Sequence, residues 1–427
     1  MKLPDIRGLK NSIYFKNVLT LVSGTSVAQL IPVLISPILT RLYSPEDFGL
    51  LALIVSISTI FGSLVSLKYE LAIVLPKENK KALHITLVSL IFSFVFSVIL
   101  LFVFIIFKGA ISELFNNKYL NEWLVILPLI IFLISAYNSL RFYSLRNNNF
   151  KIIAKSTILK SVFLGFTQLS LGYFKVINFG LIIGYLVSNL VSNLAIFNFF
   201  KKDFLKEKSF NGFIPKSKKL ISRYIDFPKY TLPSVMSNNI SLHLNNFFIS
   251  SAFSQSILGF YSLVFKSLSM PLALIGNAIG DVYFKKADDE RKQYGNALKA
   301  FKKSFSALLL ISLLIFIPSY FFIEHIFAFV FGKDWVEAGK YAKILLPLIA
   351  VRLIVSPLSK TCTVFEKQKL AFIWQITLLL FNSLICIFAY ANNWDMIFFL
   401  KIYTLIITLH YLLFLFLLYN IASIKNK

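Results

Sequence analysis

The sequence is poor in charge, and it is especially poor in acidic residues. Only 15% of its 427 residues are charged, and 19 Asp and Glu stand against 44 Lys and Arg. Soluble domains are about one-quarter charged and under one-half apolar, whereas 57% of this chain is hydrophobic. These proportions exclude a soluble enzyme and a disordered chain. They indicate a membrane protein.

Cysteine and histidine are also scarce, with two Cys and four His in the whole chain. Cys362 and Cys386 have no C-x-x-C spacing, so they indicate neither a disulfide framework nor a metal site. The histidines are far apart in sequence. We therefore predict no metal centre, no catalytic group and no enzymatic activity. The net charge of +25 is spread between apolar runs instead of gathering on one soluble face, so we also predict no nucleic-acid partner.

Long apolar runs fill most of the chain. A transmembrane helix needs about 20 consecutive apolar residues, and the sequence contains twelve runs of about that length or longer. The runs cover residues 15–40, 48–67, 82–107, 123–141, 151–173, 177–200, 227–250, 256–281, 301–330, 339–359, 370–391 and 395–420. The sequence therefore predicts an all-α polytopic membrane protein with twelve transmembrane helices.

The basic residues predict which side of the membrane each loop occupies. Cytoplasmic loops carry an excess of Lys and Arg, and most of the 44 basic residues lie in one alternating set of loops that includes both termini. We therefore expect a multi-pass protein of the bacterial cytoplasmic (inner) membrane with both termini in the cytoplasm. The basic stretch Lys201–Lys219 should then contact anionic lipid headgroups. Only seven basic residues fall in the opposite set of loops: Arg41, Lys108, Lys118, Lys175, Lys333, Lys340 and Lys343.

Two short echoes indicate an internal repeat. Ser44–Leu53 follows the first apolar run, and Ser254–Leu263 follows the seventh in the same way. Leu127–Ile130 and Leu346–Ile349 form a second matching pair. Six helices in each half give both halves the same orientation, which predicts two bundles related by a parallel pseudo-twofold repeat. The predicted parts are an N-terminal bundle over 1–200, a basic cytoplasmic linker over 201–222 and a C-terminal bundle over 223–427.

Four basic residues lie inside apolar runs, namely Lys160, Lys266, Arg352 and Lys401. A basic residue at the bilayer centre costs about 2.5–3.5 kcal/mol on insertion scales, and no Asp or Glu lies at comparable depth. Unpaired positive charge facing a watery cavity predicts an anionic substrate, with Lys266, Lys160 and Arg352 as its contacts. The alternative is that each long stem reaches an interface or bonds to backbone carbonyls. That alternative is favoured for Lys401, which lies close to a span end.

Charged residues near the ends of the first two spans are candidates for a mouth or gate. Arg41, Glu46 and Asp47 lie at the predicted external mouth, where they contact substrate or form a helix cap or loop salt bridge. Lys68 and Glu70 lie at the predicted cytoplasmic end of the second span. They either form part of a gate or mark a solvated helix end.

Several of these segments together resemble the Wzx-type polysaccharide flippases of the multidrug/oligosaccharidyl-lipid/polysaccharide exporter superfamily. The likeness covers most of residues 15–300 and fades in the last third. It is carried by Arg41–Gly49, Lys68–Pro76, Arg146–Phe150, Gly180–Tyr185, Tyr224–Tyr230 and Gly259–Phe284, the last including Met270-Pro271-Leu272. Each motif is apolar and degenerate, and the order and spacing of the set make the likeness specific.

The resemblance implies two six-helix bundles around a V-shaped cavity lined by spans one, two, seven and eight. It implies flipping of an undecaprenyl-diphosphate-linked sugar repeat unit by alternating access, for O-antigen or capsule assembly. Lys266 lies where the family is expected to carry Arg or Lys, which makes it the first candidate for diphosphate contact. Lys160 and Arg352 rest on the charge argument alone. Polysaccharide polymerase machinery is a further candidate partner.

We expect no cofactor, with flipping coupled to the membrane potential, to protons or to sodium ions. A multidrug or organic-cation antiporter of the same fold is the alternative function. It would need acidic residues in its cavity, and every Asp and Glu of the sequence lies in a loop or within a turn or so of a span end. A membrane-embedded glycan polymerase is disfavoured because the predicted outer loops are short.

Overall fold

The structure is a computed structural model that describes residues 13–115, 117–175, 179–206 and 213–424. Those residues form helices joined by short turns, with no β-strand among them. Twelve of the helices are long, and we number them in chain order. They are α1 Ile13–Leu34, α2 Pro45–Gly62, α3 Asn79–Leu114, α4 Leu127–Arg146, α5 Phe150–Tyr173, α6 Gly180–Lys206, α7 Leu232–Ala252, α8 Gln255–Pro271, α9 Leu298–Phe331, α10 Val336–Leu358, α11 Gln368–Ala391 and α12 Met396–Ser423.

Each of the twelve predicted apolar runs coincides with one of these helices, which confirms the all-α polytopic fold. Ten segments of the described chain are long and apolar enough to cross a membrane. The helices α4 and α7 fall outside that set because polar side chains lower their hydropathy. The helix α4 carries two Arg and three Ser, and α7 carries five Ser and four Asn. The 36 residues of α3 extend about 54 Å. The hydrocarbon core is only about 30 Å thick, so α3 is longer than a bilayer span.

Two of the spans are interrupted. The helix α1 ends at Leu34, and a separate short helix, Ser36–Leu42, begins one residue before Pro37. The eighth span breaks in the same way, since α8 ends at Pro271 and a π-helical turn, Leu272–Gly276, precedes a second helix over Asn277–Tyr294. Proline removes a backbone donor and clashes with the preceding turn. Both interruptions lie next to a proline, Pro37 in the first span and Pro271 in the eighth.

The chain divides into two compact units. The first consists of Met1–Tyr43 and Leu50–Ile240, and the second consists of Ser44–Gly49 and Ser241–Lys427. The sequence placed the boundary in the basic linker over 201–222, whereas the units divide within α7. The first turn of α2 belongs to the second unit, and its sequence echo, Ser254–Leu263, lies in that unit as well.

The core of the first unit contains both aromatic and hydroxyl contacts. Tyr69, Ile73 and Tyr143 lie in one buried apolar cluster with residues from α3 and α6. Where α3 and α4 meet, serines face each other in two buried pairs. Ser89 and Ser139 are 2.7 Å apart between hydroxyl oxygens, as are Ser93 and Ser135. Small hydroxyl residues let membrane helices approach closely and hydrogen-bond across the interface.

The predicted basic linker is partly helical. The helix α6 extends to Lys206, and an amphipathic helix runs over Phe213–Arg223. Its apolar face packs onto the first unit, since Leu220 joins the buried cluster and the Tyr69 hydroxyl donates to the Ile221 carbonyl at 3.1 Å. Its basic face is exposed and consists of Lys216, Lys218, Lys219 and Arg223.

In the second unit, Trp335 is a central packing residue. Its side chain is almost fully buried, and its ring meets the edges of Phe48 and Phe260 with centroids 4.9 and 5.7 Å apart. Nearby, Gly339 lets α10 pass close to the backbone of Glu324 in α9. These contacts join α9 and α10 to the short segment 44–49 and to α8.

The serine pairs generate a first prediction. We expect Ser93→Ala and Ser135→Ala together to show a coupling of about 0.6 kcal/mol, which is the average for hydrogen bonds between membrane helices. The measurement is a double-mutant cycle of unfolding in mixed micelles. The control cycle pairs Ser93→Ala with Ser306→Ala, an exposed serine in α9, and should be additive. Additivity in the first cycle would show that the Ser93–Ser135 contact contributes nothing.

Candidate functional site

The basic residues inside the spans lie in both units. Lys160 belongs to α5 of the first unit, and Lys266 and Arg352 belong to α8 and α10 of the second. Among the described residues, none of the three makes an ion pair with a carboxylate. They differ in what surrounds them.

Arg352 lines a polar cavity inside the second unit. Its guanidinium carbon lies 5.4 Å from the ring centre of Phe265 and 5.8 Å from that of Tyr411. Guanidinium groups are attracted to aromatic faces at such distances. The cavity measures about 40 Å³ and is also lined by Asn245, Tyr261, Asn382 and Tyr403. Arg352 is therefore held by aromatic rings and faces a small polar space.

Lys160 has a simpler environment in the first unit. Its ammonium lies 5.7 Å from the ring centre of Tyr137 in α4. The Tyr137 hydroxyl is 3.1 Å from the hydroxyls of both Ser156 and Thr157, one turn before Lys160. The ring is thus fixed against α5, and the half-buried Lys160 lies beside it. The sequence predicted that the Lys160 ammonium faces a watery cavity or bonds to backbone carbonyls. In the structure, the Tyr137 ring provides part of its stabilisation.

Lys266 follows Phe265 by one residue but does not line the cavity around Arg352. Successive residues on a helix point about 100° apart, so Phe265 faces the cavity and Lys266 faces away from it. The Lys266 side chain is exposed. Lys401 in α12 is exposed too, in keeping with the expectation that its stem reaches an interface.

Of the candidate mouth residues, Asp47 forms a helix cap with Ser44. The backbone N–H and hydroxyl of Ser44 both donate to Asp47 Oδ2 at 2.9 Å, and the Asp47 N–H donates back to the Ser44 hydroxyl at 3.3 Å. This reciprocal pattern is a capping box, so the structural interpretation of Asp47 is correct. Arg41 donates to the Pro37 carbonyl at 2.6 Å, and Glu46 accepts a hydrogen bond from Ser256 at 2.9 Å.

The Glu46–Ser256 bond belongs to a contact between the two copies of the repeat. The partners are 210 positions apart, as are Gly49 and Gly259. A Cβ on Gly49 would collide with the Gln255 carbonyl oxygen, and a Cβ on Gly259 would collide with the Pro45 carbonyl oxygen. Each helix start thus crosses its counterpart at a glycine. The contact is self-complementary, as an interface around a twofold axis must be.

Lys68 and Glu70 form a buried ion pair. Lys68 Nζ lies 3.3 Å from Glu70 Oε1, with the two side chains 10% and 2% exposed. The Ser66 hydroxyl donates to the other carboxylate oxygen at 2.5 Å. Leu67 and Lys68 both have left-handed backbone conformations, with φ of 53° and 62°, and together they reverse the chain after α2. The interpretation of these residues as a solvated helix end is wrong, and a role in a gate stays a prediction.

Sequence reasoning missed the polar partners of Arg352. Asn245, Tyr261, Asn382, Tyr403 and Tyr411 come from four different helices. One signal was present: Tyr403 and Tyr411 lie eight residues apart in α12 and therefore on one helix face. The other three positions have no such pattern. Only the packing of the helices brings them together.

Residues 38–340 match the family described as "Polysaccharide biosynthesis protein". This chain belongs to that family. The match covers more than half of the chain and includes Lys160 and Lys266, whereas Arg352 lies beyond it. It confirms the resemblance to polysaccharide exporters drawn from the sequence motifs.

Solved transporter structures share the fold of this family member. The inward closed conformation of the lipid II flippase MurJ is 15% identical, with 94% of this chain and 86% of that chain covered and a TM-score of 0.73. An inward-facing multidrug resistance MATE family transporter of the MOP superfamily is 14% identical, with 95% and 93% covered and a TM-score of 0.59. A MOP superfamily transporter from Pyrococcus furiosus is 13% identical, with both chains fully covered and a TM-score of 0.57. No curated protein matches the sequence.

The buried ion pair generates a second prediction. Removing one partner of a buried pair leaves an uncompensated charge and costs about 3–5 kcal/mol. We expect Lys68→Met to lower the unfolding midpoint strongly in detergent, and Lys68→Met with Glu70→Leu to restore most of the loss. Lys81→Met is the matched control because its ion pair with Glu78 is solvent-exposed. Equal effects of Lys68→Met and Lys81→Met would contradict the buried-pair assignment.

The glycine crossing generates a third prediction. We expect Gly259→Ala to lower the free energy of unfolding by about 1–3 kcal/mol, the usual cost of overpacking, because the Pro45 backbone must move. Gly109→Ala is the control, since a Cβ at Gly109 meets nothing within 4 Å. The control should be neutral or stabilise α3 by up to about 1 kcal/mol. Both variants are compared by thermal unfolding, and changes of the same sign would refute the close crossing.

Proposed function

We propose that this protein is a flippase for undecaprenyl-diphosphate-linked oligosaccharide repeat units. It moves them from the cytoplasmic to the outer leaflet of the bacterial inner membrane, for O-antigen or capsule assembly. The observation that carries the proposal is the set of basic residues inside the spans of a polysaccharide biosynthesis family member, with no carboxylate paired to Lys160, Lys266 or Arg352 among the described residues. Polysaccharide polymerase machinery is the partner that would receive the product.

Lys266 is the proposed diphosphate contact. Its side chain is exposed, and an ammonium on a flexible stem can follow a mobile phosphate group. A phosphate charge about 6 Å away would gain roughly 3 kcal/mol at an effective dielectric near 20. Lys160, which lies beside an aromatic ring in the first unit, would add positive potential there. Arg352, the third candidate from the sequence, lines a separate small cavity in the second unit. The lipid tail would remain in the bilayer while the sugars and diphosphate cross.

The proposed mechanism is alternating access. With both termini in the cytoplasm, as the distribution of basic residues favours, the contact between Ser44–Gly49 and Ser254–Gly259 would lie on the outer side. Closure there would seal the outer side while the substrate enters from the cytoplasm. The same contact would separate for release. Arg41 would lie beside it, and the Lys68–Glu70 pair would lie on the cytoplasmic side.

The membrane potential can supply the driving force. Two negative charges leaving the cytoplasm across 100 mV gain about 4.6 kcal/mol. Coupling to protons or sodium ions would require groups that bind them. The lining of the polar cavity in the second unit includes an arginine and no carboxylate, so we favour coupling to the potential.

Multidrug or organic-cation antiport is the second candidate function. It is favoured by the likeness of this chain to a multidrug resistance MATE family transporter. The fold itself does not fix the charge of the substrate, because the Pyrococcus furiosus transporter has a binding pocket of reverse polarity that suggests a different function for that protein. The unpaired basic residues of this chain favour an anion.

A reconstitution experiment tests the function and supplies a fourth prediction. Liposomes carry the protein and an undecaprenyl-diphosphate-linked glycan of the host, and the glycan exposed on the opposite leaflet is measured under an imposed potential. We expect Lys266→Ala to slow flipping about 10- to 100-fold, since 1.4 kcal/mol corresponds to a factor of ten. Lys266→Arg should retain most of the rate, and Lys401→Ala should match the wild type.

Three results would separate the alternatives. Flipping that is unaffected by Lys266→Ala would keep the flippase assignment and reject Lys266 as the diphosphate contact. Flipping that ignores the imposed potential would reject potential-driven transport. Absence of flipping, together with acid-sensitive transport of a cationic dye, would replace the proposal with cation antiport.

A further inference from the structure

The polar cavity around Arg352 has no part in the diphosphate contact proposed at Lys266. It lies within the second unit, where residues of α7, α8, α10, α11 and α12 surround it. Its volume of about 40 Å³ compares with roughly 10–15 Å³ needed to hold one water molecule. The space therefore suits a few waters or one small ion, and it is too small for a diphosphate with its sugars.

The cavity holds a positive charge with no counter-charge. Its lining includes one cationic side chain, Arg352, and no Asp or Glu. The guanidinium lies over the rings of Phe265 and Tyr411, and the Tyr411 hydroxyl also interacts with it as a hydrogen-bond acceptor. These contacts attract a cation without neutralising it. A buried charge is costly unless it is paired and hydrogen-bonded. The lining is therefore electrostatically complementary to an anion.

Hydrogen bonding in the cavity also favours an anion. The Asn245 side-chain amide donates to the Tyr261 hydroxyl oxygen at 3.2 Å, so the proton of that hydroxyl remains available to a further acceptor. Tyr403 also lines the cavity and has a hydroxyl donor of its own, and Arg352 has five N–H donors. The Asn382 amide donates to the Ser241 carbonyl at 3.4 Å. Arg352, Tyr261 and Tyr403 therefore offer several donors to a bound acceptor.

One feature of the cavity favours a different occupant. Asn382 Oδ1 is buried and has no hydrogen-bond donor, so a water molecule or a metal cation could use it. A metal cation would be repelled by the guanidinium, and hard cations require six or more oxygen ligands. Water remains as the competing occupant. The charge of Arg352 decides between them, because water would leave that charge uncompensated.

We propose that the second unit contains a binding site for a small monovalent anion such as chloride, formed by Arg352 with the hydroxyls of Tyr261 and Tyr403. The anion neutralises the guanidinium and accepts hydrogen bonds from these donors. Four residues of the cavity lie beyond the part of the chain that matches the family, namely Arg352, Asn382, Tyr403 and Tyr411. We therefore propose the site for this chain and not for the family. It is separate from Lys266, and its occupancy does not depend on the flippase proposal.

The test measures binding of chloride to the purified full-length protein in detergent, without lipid-linked glycan. Thermal unfolding midpoints are compared in sodium chloride and sodium gluconate at one ionic strength and pH. We expect a saturable rise in midpoint with chloride for the wild type. Arg352→Gln should abolish the rise, and Tyr403→Phe should raise the apparent Kd several-fold by removing one donor and keeping the ring. Lys401→Gln removes a positive charge at an exposed position and should behave as the wild type.

A second measurement covers the case in which Arg352→Gln does not fold. Bromide replaces chloride in crystals of the wild type and of Tyr403→Phe, and its anomalous scattering locates the ion. A bromide peak beside Arg352 that weakens in Tyr403→Phe supports the site. Equal midpoints in chloride and gluconate, an unchanged chloride effect in Arg352→Gln, or a cavity that contains only water would each overturn the proposal.

Discussion

The cost of placing positive charge in a low-dielectric environment is the constraint on which this structure depends. Asp and Glu are too few to neutralise the basic side chains, and in the described part of the chain no carboxylate forms an ion pair with Lys160, Lys266 or Arg352. Aromatic rings take their place beside Lys160 and Arg352. Such contacts stabilise a cation and leave its positive charge unneutralised. These unneutralised charges are the basis of our proposal that the protein binds anions.

Where a carboxylate and a basic residue do meet in a buried position, the result is structural. Lys68 and Glu70 are paired at a left-handed turn that reverses the chain after α2. Their burial makes each dependent on the other, because either charge alone would be left in a poorly solvated place. The same residue types therefore have two roles. The paired Lys68 lies at a turn of the backbone, and the unpaired basic residues are the ones that we propose for binding.

The repeat in the sequence has a physical counterpart in the contact between its two copies. Ser44 and Ser254 each cap the start of a helix, and Gly49 and Gly259 each make room for the other helix. Because the contact is self-complementary, equivalent residues of the two copies have the same role, either as a helix cap or as the glycine at the crossing. This explains why a ten-residue echo survives in helices that otherwise differ. It also explains why the first turn of α2 belongs to the second compact unit.

The sequence by itself determined the number, type and approximate limits of the long helices. A membrane-spanning segment must satisfy its backbone hydrogen bonds internally and must be apolar over its length. Both requirements can be recognised in the linear sequence. The capping of α2 by Asp47 and the close crossing at Gly49 were also present in the motif that carried the family resemblance, although their partners were not.

Only the tertiary structure decided what surrounds each charge. Burial of Lys68 with Glu70, the ring beside Lys160 and the cavity around Arg352 all depend on how helices rotate and pack against one another. Apolar runs do not specify rotation, since a helix that is hydrophobic on every side shows no preferred face. Asn245, Tyr261, Asn382 and Tyr403 meet Arg352 because five helices converge there. Sequence spacing within any one helix does not encode that convergence.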